Sequence, residues 1–401
     1  MAFLESSQPA EIVDIIRAHA ADRRKLAIQG QGTKAGLGRP VAADNTLSLR
    51  NLSGIVSYQP EELVLTAKCG TPLREITEAL AAKRQHLAFE PIASAGLFGP
   101  SNEGGSIGGV LAANLAGPRR PMAGSARDHF LGFTAVNGRG EEFKAGGKVV
   151  KNVTGYDLPK LLAGSMGTLA ALTEVTVKVL PAPEKQRTVM IPAPDVTAAH
   201  RQMITLMQGT FEIDGAAYLP AHLTARSGVD MVRAVDGALV VLRLTGSPGS
   251  VADRCAALRA LIDGPSEELH SMRSRDLWAE IRDVAPLLPD RGACLWRISV
   301  PPSAGVRIAT ALAAPDGDWL MDWGGGLLWI ARAEDSIDDA AKVRAALADS
   351  GGHATLVRGP ERLRREIDVF AREVPAALLQ RVKEAFDPHG ILNPGRMYRD
   401  W

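Results

Sequence analysis

Four glycines in nine residues, Gly30-Gln31-Gly32-Thr33-Lys34-Ala35-Gly36-Leu37-Gly38, constrain this chain more than any other stretch. Glycine loses the most backbone freedom on ordering and Pro40 follows two residues later, so neither helix nor strand is favoured there. The run Lys25 to Gln29 ahead of it reads as a short strand, after an amphipathic helix carrying Ile12, Val13, Ile15 and Ile16. Formally Gly30, Gly32 and Ala35 satisfy the GxGxx(G/A) dinucleotide fingerprint. That motif needs a helix to follow at once, which Gly36, Gly38 and Pro40 disfavour, so the nicotinamide reading fails. What remains is a loop with many free N–H groups, the Thr33 hydroxyl and the Lys34 counter-charge. It suits a pyrophosphate, the alternative being a surface loop with glycine-dictated turns.

Further along, Leu47 to Leu49, Ile55 to Tyr58 and Leu63 to Ala67 read as strands. Thr71 is expected to cap a helix with Pro72 at its first position, Leu73, Ile76 and Leu80 sharing one face. A second glycine-dense segment runs from Gly96-Leu97-Phe98-Gly99-Pro100 to Gly104-Gly105-Ser106-Ile107-Gly108-Gly109, a pattern of backbone passing close to something bulky. Asn114, inside the apolar run Val110 to Leu115, can hold a ligand's polar edge or satisfy neighbouring backbone. Arg119, Arg120 and Arg127 form either a solvated basic face or a cationic rim for a phosphate-bearing ligand. Asn137-Gly138-Arg139-Gly140 turns a hairpin between Phe130 to Val136 and Glu141 to Phe143. Then Gly147 to Leu180 reads as a lysine-bearing loop, a short helix, the turn Gly164-Ser165-Met166-Gly167-Thr168, and a strand in which Val175, Val177 and Val179 alternate with Thr176 and Lys178. That strand is expected to be the edge closing its domain.

The 401-residue length allows two or three domains with proper cores. A net charge of +1 offers nothing to nucleic acid or to an acidic membrane surface. No run of eighteen apolar residues argues for a membrane span, and Glu5, Glu11 and Asp14 at the start are the reverse of a signal peptide. Cys69, Cys255 and Cys294 stand far apart, so this chain alone builds no iron–sulfur cluster, and a reducing, cytoplasmic compartment is expected.

Taken in order, the Gly30–Gly38 loop, the Gly105–Gly109 turn with Asn114, and Gly155-Tyr156-Asp157-Leu158 followed by Gly164 to Leu169 resemble the vanillyl-alcohol-oxidase/PCMH flavoprotein family. The closing run Phe386-Asp387-Pro388-His389-Gly390-Ile391-Leu392-Asn393-Pro394-Gly395-Arg396 is similar to that family's C-terminal segment. The resemblance implies an α+β chain: a PCMH-type FAD-binding fold of two α/β subdomains over residues 1–182, an α+β cap domain over 183–360, and a segment over 361–401 returning to the FAD domain. It places Gly30, Gln31, Gly32, Thr33, Lys34 and Gly36 on the FAD pyrophosphate. Ser106, Gly108, Gly109 and Asn114 then lie along the cofactor, with Gly167, Thr168 and Leu169 near its flavin or adenine side. Neither His nor Cys stands in the Gly30–Gly38 loop or its immediate surroundings, so FAD is expected to be non-covalent. Within the family, Lys148-Val149-Val150-Lys151-Asn152-Val153-Thr154 and the short middle region resemble FAD-binding subunits of bacterial glycolate oxidases. This implies two partners, a larger homologous FAD subunit and an iron–sulfur subunit. The complex would oxidise glycolate in the cytoplasm, reaching the inner membrane only through partners.

From Pro183 to Pro360 strands (Val189 to Ile191, Ala238 to Leu244, Cys294 to Val300, Leu327 to Ala331) alternate with helices (Val196 to Met207, Val251 to Ile262, Val306 to Leu312, Ile337 to Leu347). Trp319 to Ile330 reads as a hairpin turned at Gly324-Gly325-Gly326, its tryptophans in the cap core. Hydroxy-acid dehydrogenases of the family carry a metal site of closely spaced histidines, but the eight histidines here include no two within five residues. With no metal and no evident base, catalytic residues stay open; Arg297, Arg332 and Tyr218 are the candidates to engage a carboxylate or hydroxyl. Three functions follow: an FAD-carrying subunit dependent on partners, a self-contained dehydrogenase of a small 2-hydroxy acid such as D-lactate, or a scaffold without flavin.

Overall fold

In the computed structural model, which describes residues 2–93, 96–98, 104–148, 155–290, 292–313, 317–333, 335–371 and 374–401, the strand before the glycine loop spans Leu26–Gln29. It forms one edge of a parallel sheet in the order Ala2–Glu5, Asn45–Ser48, Leu26–Gln29. The helix Pro9–Asp22 turns Ile12 and Ile16 inward, both fully buried. A second sheet runs Ile55–Gln59, Val64–Lys68, Ala170–Lys178, Phe130–Asn137, Glu142–Gly146, antiparallel throughout. Its apolar face joins Ile12, Ile16, Leu26 and Ile391 in one core, where each fully buried aliphatic side chain is worth about 1.5–3 kcal/mol.

The valine strand is therefore not an edge. Ala170–Lys178 is central, hydrogen-bonded on both sides, and Thr176 as well as Val175 and Val177 is buried. Alternation reports one half-buried face; here the threonines on the other face are covered too, Thr176 meeting Thr66 at 2.9 Å. The helix after Cys69 starts later than expected, at Leu73, with Pro72 as its N-cap. Thr71 instead spends its hydroxyl on the Gly54 N–H (2.9 Å) and the Lys68 carbonyl (2.6 Å). Residues 149–154 of the lysine-bearing loop lie outside the described residues.

Two compact units divide the chain, Met1–Ala116 with Gly124–Ala182 and Asp368–Trp401, and Gly117–Ala123 with Pro183–Ile367. The segment Gly117–Ala123 thus packs with the second unit, and the C-terminal return begins at Asp368, later than the position 361 read from sequence. In the first unit the helix Ala376–Phe386 brings the chain end alongside Leu26–Gln29: Leu26 N–H donates to Ile391 O (2.8 Å) and Asn393 N–H to Leu26 O (2.9 Å). A buried Lys383 anchors this return. Its ammonium donates to Asp387 Oδ2 (2.7 Å), Thr168 O (2.6 Å) and Leu392 O (3.2 Å).

The second unit is an eight-stranded sheet in the order Glu267–His270, Lys185–Pro192, Leu239–Gly246, Ile213–Leu219, Trp319–Asp322, Leu327–Arg332, Cys294–Ser299, His353–Arg358. All its pairings are antiparallel. Trp319–Asp322 and Leu327–Arg332 form the expected hairpin around a turn at Trp323–Gly325.

Candidate functional site

The glycine loop, the second glycine turn and the turn at Ser165 converge in the first unit on one pocket. Its lining includes Ala27 to Ala35, Ser106, Gly108, Gly109, Ala112, Ala113, Ser165, Met166, Gly167, Ala170, Leu172 and Arg396. Close approach explains two of its glycines. A Cβ on Gly30 would stand 2.3 Å from Ser106 Oγ, and one on Gly108 would stand 2.7 Å from Cys69 Cβ. Ser106 caps the helix Ile107–Ala113, its hydroxyl accepting from Gly109 N–H. The Gly30 loop is held by short turns, Ala35 N–H to Gly32 O (3.1 Å) and Leu37 N–H to Lys34 O (3.1 Å), and by Gln31, whose amide donates to Gly70 O (3.1 Å).

The pocket's charge is positive. Lys34 is 9% exposed, and burial lowers its pKa to about 8 from the ordinary lysine range. Arg396 lines the same loop and donates through Nη2 to Lys34 O at 2.7 Å. A backbone cradle that a Cβ would fill, with a lysine whose burial disfavours its charge, fits a phosphate-bearing anion.

Of the expected cofactor residues, Gly30, Gln31, Gly32, Thr33, Lys34, Ser106, Gly108, Gly109 and Gly167 line the pocket. Gly36, Asn114, Thr168 and Leu169 do not. A Cβ on Gly36 would meet Phe98 O at 2.0 Å, so this glycine serves packing. Asn114 ends the helix Ile107–Ala113 in the left-handed region (φ 48°) and accepts from Arg127 N–H at 2.9 Å, which satisfies backbone. Thr168 donates to Ser165 O (2.7 Å), and Leu169 is core.

Three of the neighbours that sequence reasoning missed bear on the site. Arg396 stood in a recognised terminal run, but nothing in its spacing tied it to Lys34. Met166 carries a positive φ of 54° that only its glycine neighbours hinted at. Cys69, distant from the Gly30–Gly38 loop in sequence, also lines the pocket; its thiol is pushed up to about 12 by burial, so it is no thiolate nucleophile.

The catalytic candidates lie in the second unit and part company there. Arg332 is committed to Asp339 (Nε to Oδ2 2.8 Å) and to Leu312 O, a structural role. Tyr218 is buried in the sheet, stacked on Trp319 at 5.6 Å. Arg297 is different: it is 6% exposed and its Nε has no hydrogen-bond partner. Its guanidinium lies 5.0 Å from the Trp323 ring centroid, with Arg120 at 4.6 Å from the same ring. Burial, then Arg120, lowers the Arg297 pKa to about 9, Asp322 opposing them. Arg119 pairs with Asp214 (3.1 Å), which also accepts from Arg243 Nε (2.7 Å). Arg119 and Arg120 are therefore not a solvated rim. Among the described residues no group of three or more His, Cys, Asp or Glu could hold a metal ion, and no helix is long and apolar enough to cross a membrane.

A glycine cradle with the buried Lys34 and the neighbouring Arg396, in an α+β unit, suits the phosphates of a dinucleotide cofactor. Residues 2–146 match a family model described as FAD binding domain, and residues 363–397 one described as FAD linked oxidases, C-terminal domain. The chain is 36% identical, over 97% of its own length and 97% of the relative's, to glycolate oxidase subunit GlcE of Escherichia coli K12. It is 29% identical, over 53% of its length and 42% of the relative's, to glycolate oxidase subunit GlcD of Bacillus subtilis 168. A solved p-cresol methylhydroxylase superposes with a TM-score of 0.71 at 12% identity, covering 99% of this chain and 88% of that one. The chain belongs to the vanillyl-alcohol-oxidase/PCMH family of FAD-linked oxidoreductases, and its cofactor is FAD.

Proposed function

We propose that this chain is the FAD-binding subunit of a multi-subunit glycolate oxidase. It works beside a larger homologous FAD subunit and an iron–sulfur subunit that takes the electrons onward. The complex would be cytoplasmic, meeting the inner membrane only through partners. The observation that carries the reading is end-to-end likeness to a protein named as a glycolate oxidase subunit, in a chain whose glycine cradle is built for an anion. In this reading Gly30, Gln31, Gly32, Thr33, Lys34 and Arg396 hold the FAD pyrophosphate, while Ser106, Gly108, Gly109 and Gly167 run along the cofactor. The attachment is non-covalent. Bound flavin supplies the two-electron acceptor for oxidation of a hydroxyl carbon; the chain's own residues bind it and screen its charge. The test is purification with and without the partner subunits. The isolated chain should show a bound-flavin absorbance spectrum yet turn over glycolate, with a dye acceptor, only when partners are restored. Robust turnover by the chain alone would sink the proposal.

A second reading, that the chain itself binds a small 2-hydroxy acid such as D-lactate, is favoured by Arg297. A guanidinium buried without a hydrogen-bond partner at Nε is costly, and a planar carboxylate would complete it. In that case Arg297→Met abolishes turnover while flavin content stays unchanged. FAD membership of the family leaves no support for the flavin-free scaffold.

A further inference from the structure

Two walls of the pocket, the strand at Ile28 and the turn at Met166, are far apart in sequence and are joined by one side chain. The Asn393 carboxamide accepts from Ile28 N–H at 2.7 Å and donates to Met166 O at 2.7 Å. Nδ2 also lies 3.4 Å from Ile28 O. Asn393 is 1% exposed and sits at φ 43°, a left-handed conformation that asparagine tolerates better than most residues. Its own N–H donates to Leu26 O, and Met166 N–H in turn donates to Ala112 O (2.9 Å), on a third wall. Room for the carboxamide comes from Gly167, whose Cβ would stand 2.7 Å from Nδ2. Only an amide offers an acceptor and a donor in one short plane; aspartate supplies the first and, when ionised, not the second.

We propose that Asn393 is a positioning residue for FAD: its carboxamide sets the separation of the Ile28 and Met166 walls, so that docking of the C-terminal segment and FAD occupancy are thermodynamically coupled. The inference rests on placing FAD in this pocket. Coupling of this kind is reciprocal, so FAD must tighten the C-terminal segment as much as the segment tightens FAD.

The test measures FAD affinity by quenching of flavin fluorescence, with circular dichroism of the FAD-free chain as the check on folding. Asn393→Gly keeps the left-handed backbone and removes both side-chain bonds; it should weaken FAD binding about tenfold or more. Asn393→Asp keeps the acceptor but opposes Met166 O. Measured against the unsubstituted chain at each pH, it should bind weakly near neutrality and close that gap as pH falls and the carboxyl protonates, because the acid form can donate again. A general loss of structure would give no such recovery. In the unsubstituted chain, FAD should slow hydrogen exchange at the Asn393 amide, a readout that survives even if a variant fails to fold. Wild-type affinity within about twofold for Asn393→Gly, no acid recovery in Asn393→Asp, or exchange at Asn393 indifferent to FAD each overturns the proposal. Failure of the unsubstituted chain to quench FAD overturns the placement of the cofactor itself, and the inference with it.

Discussion

Lys34 shows how one side chain links the pocket to pH. Burial lowers its pKa to about 8, while the unfolded chain titrates near the ordinary lysine value of about 10.5. Between these two values the unfolded state holds more protons, so stability rises with pH in that window; below about 8 the full cost of the buried charge is present. An anionic ligand favours the protonated lysine. FAD binding is therefore expected to take up protons above about pH 8 and to weaken as pH rises through about 8, which calorimetry in buffers of different ionisation enthalpy measures. Lys34→Met should remove the proton uptake and lower FAD affinity about tenfold, the scale of a charge-assisted hydrogen bond. Arg297 poses the complementary case. Replacing a buried charge lacking a hydrogen bond at Nε by methionine should raise the thermal midpoint of the second unit, because the desolvation cost of that charge is then removed and outweighs its attraction to Asp322. Loss of stability in Arg297→Met, seen by calorimetry, would show that the guanidinium is held by more than Trp323.

At the scale of elements, the C-terminal return is a hook with a charged anchor. Lys383 and Asp387 stand one helical turn apart, buried, with Ile391 and Leu392 N–H also donating to the carboxylate (3.1 and 2.8 Å). Breaking such a pair strands a buried charge. Lys383→Met is expected to destabilise the first unit by about 3–5 kcal/mol, read as an earlier urea transition, and to free Thr168 O and Leu392 O from their shared donor. The element scale is also where pattern and fold diverge. Val196–Met207 forms with the bounds its periodicity predicts, capped by Asp195 on Ala198 N–H. Ile213–Leu219 shows no such signal, since Asp214-Gly215-Ala216-Ala217 lacks β-branched alternation; it becomes a strand because Leu239–Gly246 and Trp319–Asp322 flank it.

For the molecule as a whole, the divisions follow contacts rather than chain order. Gly117–Ala123 leaves the first unit's sequence neighbourhood to pack with the second, where Gly117 O receives the Trp323 indole N–H at 3.0 Å and Arg119 completes the Asp214–Arg243 cluster. The proposed partner requirement belongs to this scale. If the chain is one subunit of a larger oxidase, separating it should abolish glycolate turnover while leaving its flavin spectrum intact, and recombination should restore both rate and co-elution. Retained turnover after separation on a sizing column is the contrary result.

Local sequence determined the parts that need only local physics: glycine loops where backbone must pass closely, helix faces set by a 3.6-residue period, and the hairpin around Gly324. The glycine loops are readable in place, and the family resemblance that their motifs carry named nine residues that line the pocket. Tertiary structure alone decided the rest. Arg396 and Cys69 reach the pocket, and Asn393 bonds two of its walls, through strand pairing and chain return, across distances in sequence that no period encodes. Likewise the Ala170–Lys178 strand is central rather than an edge, since position in a sheet depends on which strands arrive on either side, and Arg297 is a buried charge because its neighbours, not its own sequence, exclude water.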